Sequence, residues 1–130
     1  MNKIALPILC LCLLLSACET PVSTKTGEDP GITTLTGTPT TLDEVISGTP
    51  AIVNFWASWC AFCKDGMPEL QRVHEQFGES VTVVGVNLQE EQAVARAYMD
   101  QGGYTFTSLL DPGSELKQKH GVFTQPTTLV

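Results

Sequence analysis

The sequence predicts an α/β domain whose central sheet is mostly parallel and flanked by helices. Residues 51–56 and 81–86 are short, continuous apolar runs, which are typical of strands buried on both faces. Each run is followed by a segment in which apolar residues recur at helical spacing. Strands that alternate with helices favour a parallel sheet, and 130 residues without an internal repeat leave room for one such domain.

The first 17 residues indicate a bacterial lipoprotein signal peptide. Lys3 supplies a positive charge, and residues 4–15 are mostly apolar but shorter than the roughly 17–25 residues that span a bilayer as a helix. The run ends in Leu-Ser-Ala-Cys, which resembles a lipobox, so we expect Cys18 to become the lipid-bearing first residue. The alternative is an ordinary secretory signal followed by an incidental cysteine.

A flexible tether is predicted between this signal and the domain at residues 32–130. Residues 18–31 are rich in Thr, Ser, Pro, Gly and charged side chains. A lipid on Cys18 would hold the domain on the periplasmic side of a bacterial membrane. Glu19 stands where an Asp is often linked to retention in the inner membrane, so the outer membrane is slightly favoured over the inner.

Two cysteines remain in the predicted mature domain. Cys10 and Cys12 lie in the signal and Cys18 is assigned to lipid, which leaves Cys60 and Cys63 of the five. No further pair is left for a framework of structural disulfides, although an oxidising compartment would permit one. We therefore expect this pair to turn over between dithiol and disulfide. The formal net charge of −7 argues against a nucleic-acid partner.

Local signals organise the chain up to the end of its longest helix. Residues 32–40 predict a short hairpin, and Thr41 with Glu44 fits the capping box of a short helix. After the strand at residues 51–56, a long helix is predicted to begin near Cys60 and to contain Pro68. Its buried stripe is expected to comprise apolar residues three or four apart, namely Met67, Leu70, Val73 and Phe77.

The second half of the domain is predicted to continue the alternation. After the strand at residues 81–86, Asn87 and Glu90 can cap a helix, and its inward residues are expected to be Val94, Ala97 and Tyr98. A third strand is predicted at residues 104–110, followed by a turn. Ser114 can then cap a short helix, and a final strand is predicted at residues 127–130.

The two cysteines lie two residues apart at the predicted start of a helix that follows a buried strand. Free backbone amides and the helix dipole at that end stabilise negative charge. A cysteine so placed can have its pKa lowered from about 8.5 to roughly 3.5–7.5. We predict that Cys60 is the catalytic thiolate that attacks a disulfide, and that Cys63, one turn further and more buried, resolves the mixed disulfide.

Several sequence blocks resemble thioredoxin-fold proteins. Residues 54–63, Asn-Phe-Trp-Ala-Ser-Trp-Cys-Ala-Phe-Cys, followed by Met67-Pro68, are similar to the active-site region of that fold. Gly121-Val122 and Pro126-Thr127-Thr128 resemble the loop and strand of its cis-proline. Residues 87–110 resemble the insertion of extracytoplasmic thiol–disulfide oxidoreductases of the TlpA/DsbE (ResA-like) type. The match extends over residues 32–130.

The resemblance implies a thioredoxin-like fold and a set of roles. Trp59, Gln125 and Pro126 would bind substrate, with a cis Gln125–Pro126 peptide offering backbone hydrogen bonds to a bound chain. The implied activity is reduction of disulfide-bearing proteins outside the cytoplasm, in cytochrome c maturation or envelope redox homeostasis, with re-reduction by a membrane electron donor. It implies neither a cofactor nor a metal. The family continues beyond Pro126 with a hairpin and a helix, so we expect the chain to be incomplete at its carboxyl end.

Three residues depart from the pattern of the family. Phe62 stands where Pro usually precedes the second cysteine, Asn54 where classical thioredoxin has a buried Asp, and Gly66 where many extracytoplasmic members have Glu. Asp65 is adjacent but would point about 100° away around the helix. Because these positions help set the reduction potential and proton transfer, the direction of the reaction is open.

Three alternative functions stay open at the level of sequence. Cys60 and Cys63 could hold a metal or haem with His74 or His120, although the spacing is poor for a metal site. The pair could act as an oxidant or isomerase; a potential near about −270 mV indicates a reductant and one near about −120 mV an oxidant. A peroxiredoxin-like antioxidant is the third alternative, but no cysteine lies in a Pro-x-x-x-Thr-x-x-Cys setting.

Overall fold

Nine short elements follow one another along residues 31–130, the part of the chain that the computed structural model describes. The predicted signal peptide at residues 1–17, Cys18 and nearly all of the tether lie outside the described residues. No helix within residues 31–130 has the length and apolar composition needed to cross a bilayer. The elements are β1 Thr33–Thr34, α1 Leu42–Ile46, β2 Ala51–Trp56, α2 Ala61–Phe77, β3 Thr82–Leu88, α3 Gln92–Gly102, β4 Thr107–Asp111, α4 Glu115–Lys119 and β5 Thr127–Leu129.

The strands form one sheet in the order β1-β4-β3-β2-β5. The three central strands β2, β3 and β4 run parallel, and β1 and β5 pair antiparallel at the two edges. The α/β fold class is confirmed, and the sheet is mixed because both edge strands reverse direction. β2 and β3 pair from Ala51↔Thr82 to Trp56↔Asn87, so their carboxyl ends emerge side by side.

One face of the sheet carries an aliphatic cluster. Alternate strand residues such as Val53, Phe55 and Val84 point to it, as the two-residue period of a strand requires. Leu42 of α1 and Leu116 of α4 cover this face and are buried. The full aliphatic cluster is Ile32, Leu42, Val53, Phe55, Val84, Val86, Leu88, Leu109, Leu116 and Val122.

The other face carries a sulfur–aromatic cluster that includes both cysteines. The indole of Trp56 donates to the hydroxyl of Ser108 at 3.1 Å, and it crosses β3 at Gly85, where a Cβ would lie 2.8 Å from the indole nitrogen. Helices α2 and α3 cover this face. The buried members are Trp56, Ala57, Cys60, Cys63, Met67, Val83, Ala95, Met99, Phe106 and Leu110.

The local predictions before the cysteines are confirmed. Gly37 has φ +84° in a tight turn, and Thr33 forms an antiparallel bridge to Pro39. Thr41 and Glu44 form the predicted capping box, each side chain bonding the backbone N–H of the other. β2 has the predicted bounds, so purely local signals were sufficient up to this strand.

Several later predictions were wrong in detail. β3 reaches Leu88 instead of ending at residue 86, and β4 begins only at Thr107. α3 buries Ala95 and Met99, whereas Val94 is 48 % exposed and Ala97 also faces out. Phe77, expected in the buried stripe of α2, is 54 % exposed.

Two predicted helix caps are also wrong. Asn87 lies inside β3, and α3 begins after Glu91, which makes no side-chain cap. Ser114 precedes α4 but has φ +63° and makes no cap hydrogen bond. The buried carboxylate of Asp111 caps α4 instead, accepting from the backbone N–H groups of Glu115 at 2.7 Å and Lys117 at 3.0 Å.

Candidate active site

Cys60 stands at the amino end of α2, as predicted. A turn connects β2 to the helix, closed by a hydrogen bond from the N–H of Cys60 to the carbonyl of Ala57 at 3.1 Å. Cys60 is the N-cap of α2, and its Sγ accepts from the backbone N–H of Cys63 at 3.2 Å. Sulfur therefore occupies the place where an oxygen normally satisfies the free amides of a helix start.

The two cysteines are joined by a disulfide bond, with their Cα atoms 5.3 Å apart. Cys60 is 7 % exposed and Cys63 is 2 % exposed. The predicted order of exposure is confirmed, although both residues are buried in this oxidised form. On reduction, a thiolate at Cys60 would face the free amides and the positive end of the α2 dipole, which favour the charged form.

Two exposed aromatic side chains flank Cys60 in the sequence. Trp59 is 60 % exposed and Phe62, inside the motif, is 78 % exposed. Phe123, on the loop before β5, is 89 % exposed and was not singled out in the sequence. Trp59 and Phe62 therefore offer exposed aromatic surface on either side of Cys60 along the chain.

The Gln125–Pro126 peptide is cis, as the resemblance implied. Thr127, the next residue, pairs with Phe55 near the end of β2. The cis peptide therefore lies at the carboxyl end of β2, the same end from which the cysteine loop departs. The sheet brings Trp59, Gln125 and Pro126 to one end of the domain, and their substrate-binding role stays a prediction.

The structure shows what surrounds Asn54 and Gly66, two of the residues that depart from the family pattern. Asn54 is 4 % exposed, and its Oδ1 accepts from the hydroxyl of Thr128 at 3.0 Å, so it ties β2 to β5. Gly66 lies on α2 with open space where a Cβ would stand. A longer side chain would therefore fit at position 66, and its absence is not enforced by packing.

Ser58, Asn87 and Glu90 form a hydrogen-bonded group next to Cys60 that the sequence did not predict. Glu90 accepts hydrogen bonds from the backbone N–H of Ser58 at 2.7 Å and from Nδ2 of Asn87 at 2.6 Å, and the hydroxyl of Ser58 bonds its other oxygen. The signal in the sequence was that polar residues follow the ends of two strands that are neighbours in the sheet.

Comparison with known proteins decides the family. Residues 24–130 match the family described as AhpC/TSA. The chain belongs to the AhpC/TSA family. Its predicted resemblance to TlpA/DsbE/ResA-like thiol–disulfide oxidoreductases is also confirmed, by similarity in sequence and in structure to proteins that carry those names.

Individual relatives agree with this assignment. The chain is 29% identical over 105 residues to the thioredoxin-like protein YneN of Bacillus subtilis, covering 78% of this chain and 61% of that protein. It is 33% identical over 88 residues to the thiol:disulfide interchange protein DsbE of Allochromatium vinosum, covering 67% and 48%. The chain spans about half to three fifths of the length of these two curated relatives.

Solved structures of family relatives share the fold. A secreted Mycobacterium tuberculosis disulfide oxidoreductase homologous to Escherichia coli DsbE superposes with a TM-score of 0.67 at 29% identity, covering 74% of this chain and 70% of that one. StoA from Bacillus subtilis superposes with a TM-score of 0.62 at 29% identity, covering 76% and 78%. The thioredoxin-like fold is therefore established.

The histidines of this family member are not gathered with its cysteines. His74 is half-buried and meets the ring of Phe106 edge-on with centroids 6.4 Å apart. His120 is exposed at the end of α4. Within residues 31–130, no group of three or more His, Cys, Asp or Glu side chains is placed to hold a metal ion.

Two titratable groups of the domain, half-buried Tyr98 and buried Asp111, have a shifted pKa. Burial raises the pKa of Tyr98 above 10.0, and the neighbouring Tyr104 adds to this. Burial also raises the pKa of Asp111 above its ordinary 3.8, although the backbone N–H of Lys117 acts in the opposite direction. Asp111 lies at the end of β4 and serves α4, so its role is structural.

Proposed function

We propose that the protein is an extracytoplasmic thiol–disulfide oxidoreductase that uses Cys60 and Cys63 to reduce disulfide bonds of other proteins. The observation that carries this proposal is the Cys60–Cys63 disulfide at the amino end of α2. A dithiol at that place has both features that exchange requires: a stabilised thiolate and a second thiol within bonding distance.

The exchange moves two electrons in two steps. In the reduced protein, the Cys60 thiolate attacks one sulfur of the substrate disulfide; that bond breaks, the other substrate sulfur leaves as thiolate, and a mixed disulfide forms. Cys63, as thiolate, then attacks Sγ of Cys60 and releases the second substrate thiolate. The substrate has gained two electrons, and the protein ends in the disulfide form described above.

Substrate docking is assigned to the exposed rim of the disulfide. Trp59 and Phe62 offer apolar surface beside Cys60, and the backbone of Gln125–Pro126 offers hydrogen-bonding groups to an extended chain. A substrate that contacts this rim would bring its disulfide to the Cys60 thiolate of the reduced protein.

The anchor and the partners are part of the proposal. A lipidated Cys18 would place the domain on the periplasmic side of a bacterial membrane, and a membrane electron donor would return the pair to the dithiol form. The signal-like residues 1–17 support export, and one structural relative is described as secreted. Cytochrome c maturation or envelope redox homeostasis would be the process served.

An insulin-reduction assay tests the activity. With dithiothreitol as electron source, we expect the purified protein to accelerate insulin precipitation and Cys60→Ser to return the rate to that of dithiothreitol alone. Cys63→Ser should accumulate a mixed disulfide with insulin, because the resolving thiol is missing. Cys18→Ser, which removes a cysteine outside the site, is the matched control and should keep full activity. Undiminished activity of Cys60→Ser would refute the proposal.

The same preparation separates the alternatives. The AhpC/TSA assignment is compatible with a peroxiredoxin-like antioxidant. Such a protein would consume hydrogen peroxide in a reaction that depends on Cys60. An oxidant or isomerase would instead reactivate scrambled or reduced ribonuclease. We expect insulin reduction to exceed peroxide consumption, because Cys60 is bonded to Cys63 one helical turn away and no cysteine lies in the Pro-x-x-x-Thr-x-x-Cys setting.

A further inference from the structure

Glu90 connects the two loops that leave the sheet beside the disulfide. Its Oε2 accepts from the backbone N–H of Ser58 at 2.7 Å and from Nδ2 of Asn87 at 2.6 Å, while Oε1 bonds the hydroxyl of Ser58. Ser58 follows β2, and Glu90 follows β3, 32 residues further along the chain. The carboxylate therefore holds the end of one central strand to the end of the next.

Ser58 is part of the turn that delivers Cys60. The turn spans residues 57–60, and the N–H of Cys60 closes it on the carbonyl of Ala57 at 3.1 Å. Glu90 takes both the backbone N–H and the hydroxyl of Ser58, so it restrains the middle of the turn from outside. Without this restraint, the direction in which the chain enters α2 at Cys60 would be less well defined.

The side-chain amide of Asn87 has one orientation that allows its hydrogen bond to Glu90. Its side chain is fully buried, and its Oδ1 has no hydrogen-bond partner among the described residues. Rotating the amide would turn this oxygen toward the carboxylate of Glu90 and lose the 2.6 Å hydrogen bond. Asn87 is paired with Trp56, the last residue of β2, in the β2–β3 register. The hydrogen bonds of Glu90 to Asn87 and Ser58 therefore connect the ends of these two neighbouring strands.

We propose that Glu90 is a positioning residue for the redox pair: by holding the turn at Ser58, it keeps Cys60 within reach of Cys63 and so favours the disulfide over the dithiol. This inference rests on the proposed function. Closing a bond between two groups costs less when their chain segments are already ordered. Loss of the restraint should therefore make the disulfide easier to reduce, whereas a residue that only supports the fold would leave this balance unchanged.

The variants separate position from charge. Glu90→Ala removes all three contacts. Glu90→Gln can keep them, because its carbonyl can accept from Ser58 and Asn87 while its amide donates to the hydroxyl of Ser58, which can accept as well as donate. The neighbouring Glu91→Ala removes an exposed carboxylate that makes no side-chain cap bond, so it is the matched control for charge.

The test is a redox titration of each variant in glutathione buffers, with thiol alkylation to count reduced cysteines. We expect Glu90→Ala to lower the equilibrium constant for disulfide formation about tenfold, equal to about 30 mV for this two-electron couple. Glu90→Gln should stay within about twofold of the unchanged protein, and Glu91→Ala should match it. If Glu90→Gln shifts as far as Glu90→Ala, charge and not position is responsible, and the proposal is wrong.

A second variant covers the case in which Glu90→Ala does not fold. Ser58→Ala removes the hydroxyl contact and keeps the backbone one, so it should shift the constant in the same direction by a smaller factor. Equal constants for Ser58→Ala and the unchanged protein would then overturn the proposal. The unchanged protein is assayed with insulin in parallel: its inactivity would refute the proposed function, whereas activity with unshifted variants refutes only the role of Glu90.

Discussion

The two faces of the sheet are made by the same strands but differ in what they contain. The aliphatic cluster under α1 and α4 consists almost wholly of Val, Leu and Ile with one Phe. The sulfur–aromatic cluster under α2 and α3 contains the disulfide, two methionines, Trp56 and Phe106. Because side chains alternate along a strand, one sheet supplies a face that only stabilises the fold and a face that also holds the Cys60–Cys63 disulfide.

The difference predicts how substitutions on the two faces behave. A change in the aliphatic cluster should cost the oxidised and the reduced protein the same stability, because neither cysteine touches that side of the sheet. A change near the disulfide should cost the two forms different amounts. Unfolding measured in both redox states therefore separates scaffold from active site.

The largest effect is expected on the aliphatic face. Phe55 is fully buried in β2, and Phe55→Ala should lower the free energy of unfolding by about 3–5 kcal/mol. Urea unfolding of the oxidised and the dithiothreitol-reduced protein should show equal losses. A loss confined to one redox form would contradict the separation of the two faces.

A matching substitution on the other face should distinguish the redox states. Met67 is fully buried one helical turn beyond Cys63, and Met67→Ala should cost about 2–5 kcal/mol. The oxidised form should lose more unfolding free energy than the reduced form. The disulfide prevents Cys63 from moving into the cavity left by Met67, whereas a free thiol can move. Equal losses in the two forms would show that the cysteines do not sense packing beneath them.

The smallest effect concerns the buried carboxyl of Asp111, far along the chain from the cysteines. Burial raises its pKa in the folded protein above 3.8, so the folded state binds the proton more tightly than the unfolded state. Its contribution to stability is therefore fully present below about pH 3.8 and is lost as the pH rises through the folded pKa.

Asp111→Asn should remove this pH dependence. The difference in unfolding free energy between the unchanged protein and Asp111→Asn, measured from pH 3 to 8, should move in favour of the variant as the pH rises. The pH at which insulin reduction is half-maximal should be the same in Asp111→Asn and in the unchanged protein, because the Asp111 side chain caps α4 and does not contact the cysteines. A difference in stability that is constant with pH would contradict the account.

Structure that depends on neighbouring residues could be predicted from the sequence, whereas contacts between distant segments could not. β2, the start of α2 and the Thr41–Glu44 box depend on neighbouring residues and were correct. Asn87 and Glu90 also fit a local capping pattern, but their side chains bond each other and Ser58, 32 residues before Glu90. A tertiary contact replaced the local one, which no reading of residues 87–90 alone could reveal.

The inward face of α3 and the cap of α4 failed for other reasons. In the first two turns of α3 only Gln92 and Arg96 are polar, so the apolar side is wide and the periodicity did not distinguish Val94 from Ala95. At α4, the left-handed backbone of Ser114 removes its hydroxyl from the capping position, and the Asp111 carboxylate takes it over. The disulfide was the most predictable contact of the candidate site, because its two cysteines lie within one motif.

The most direct test of the central claim is a count of reactive thiols against the glutathione ratio in the Cys18→Ser variant, with the insulin-reduction rate measured on the same samples. The account predicts that Cys60 and Cys63 appear together in one two-electron transition and that the rate follows the reduced fraction. A pair that stays bonded in fully reducing buffer, or a rate that does not depend on the reduced fraction, would contradict it.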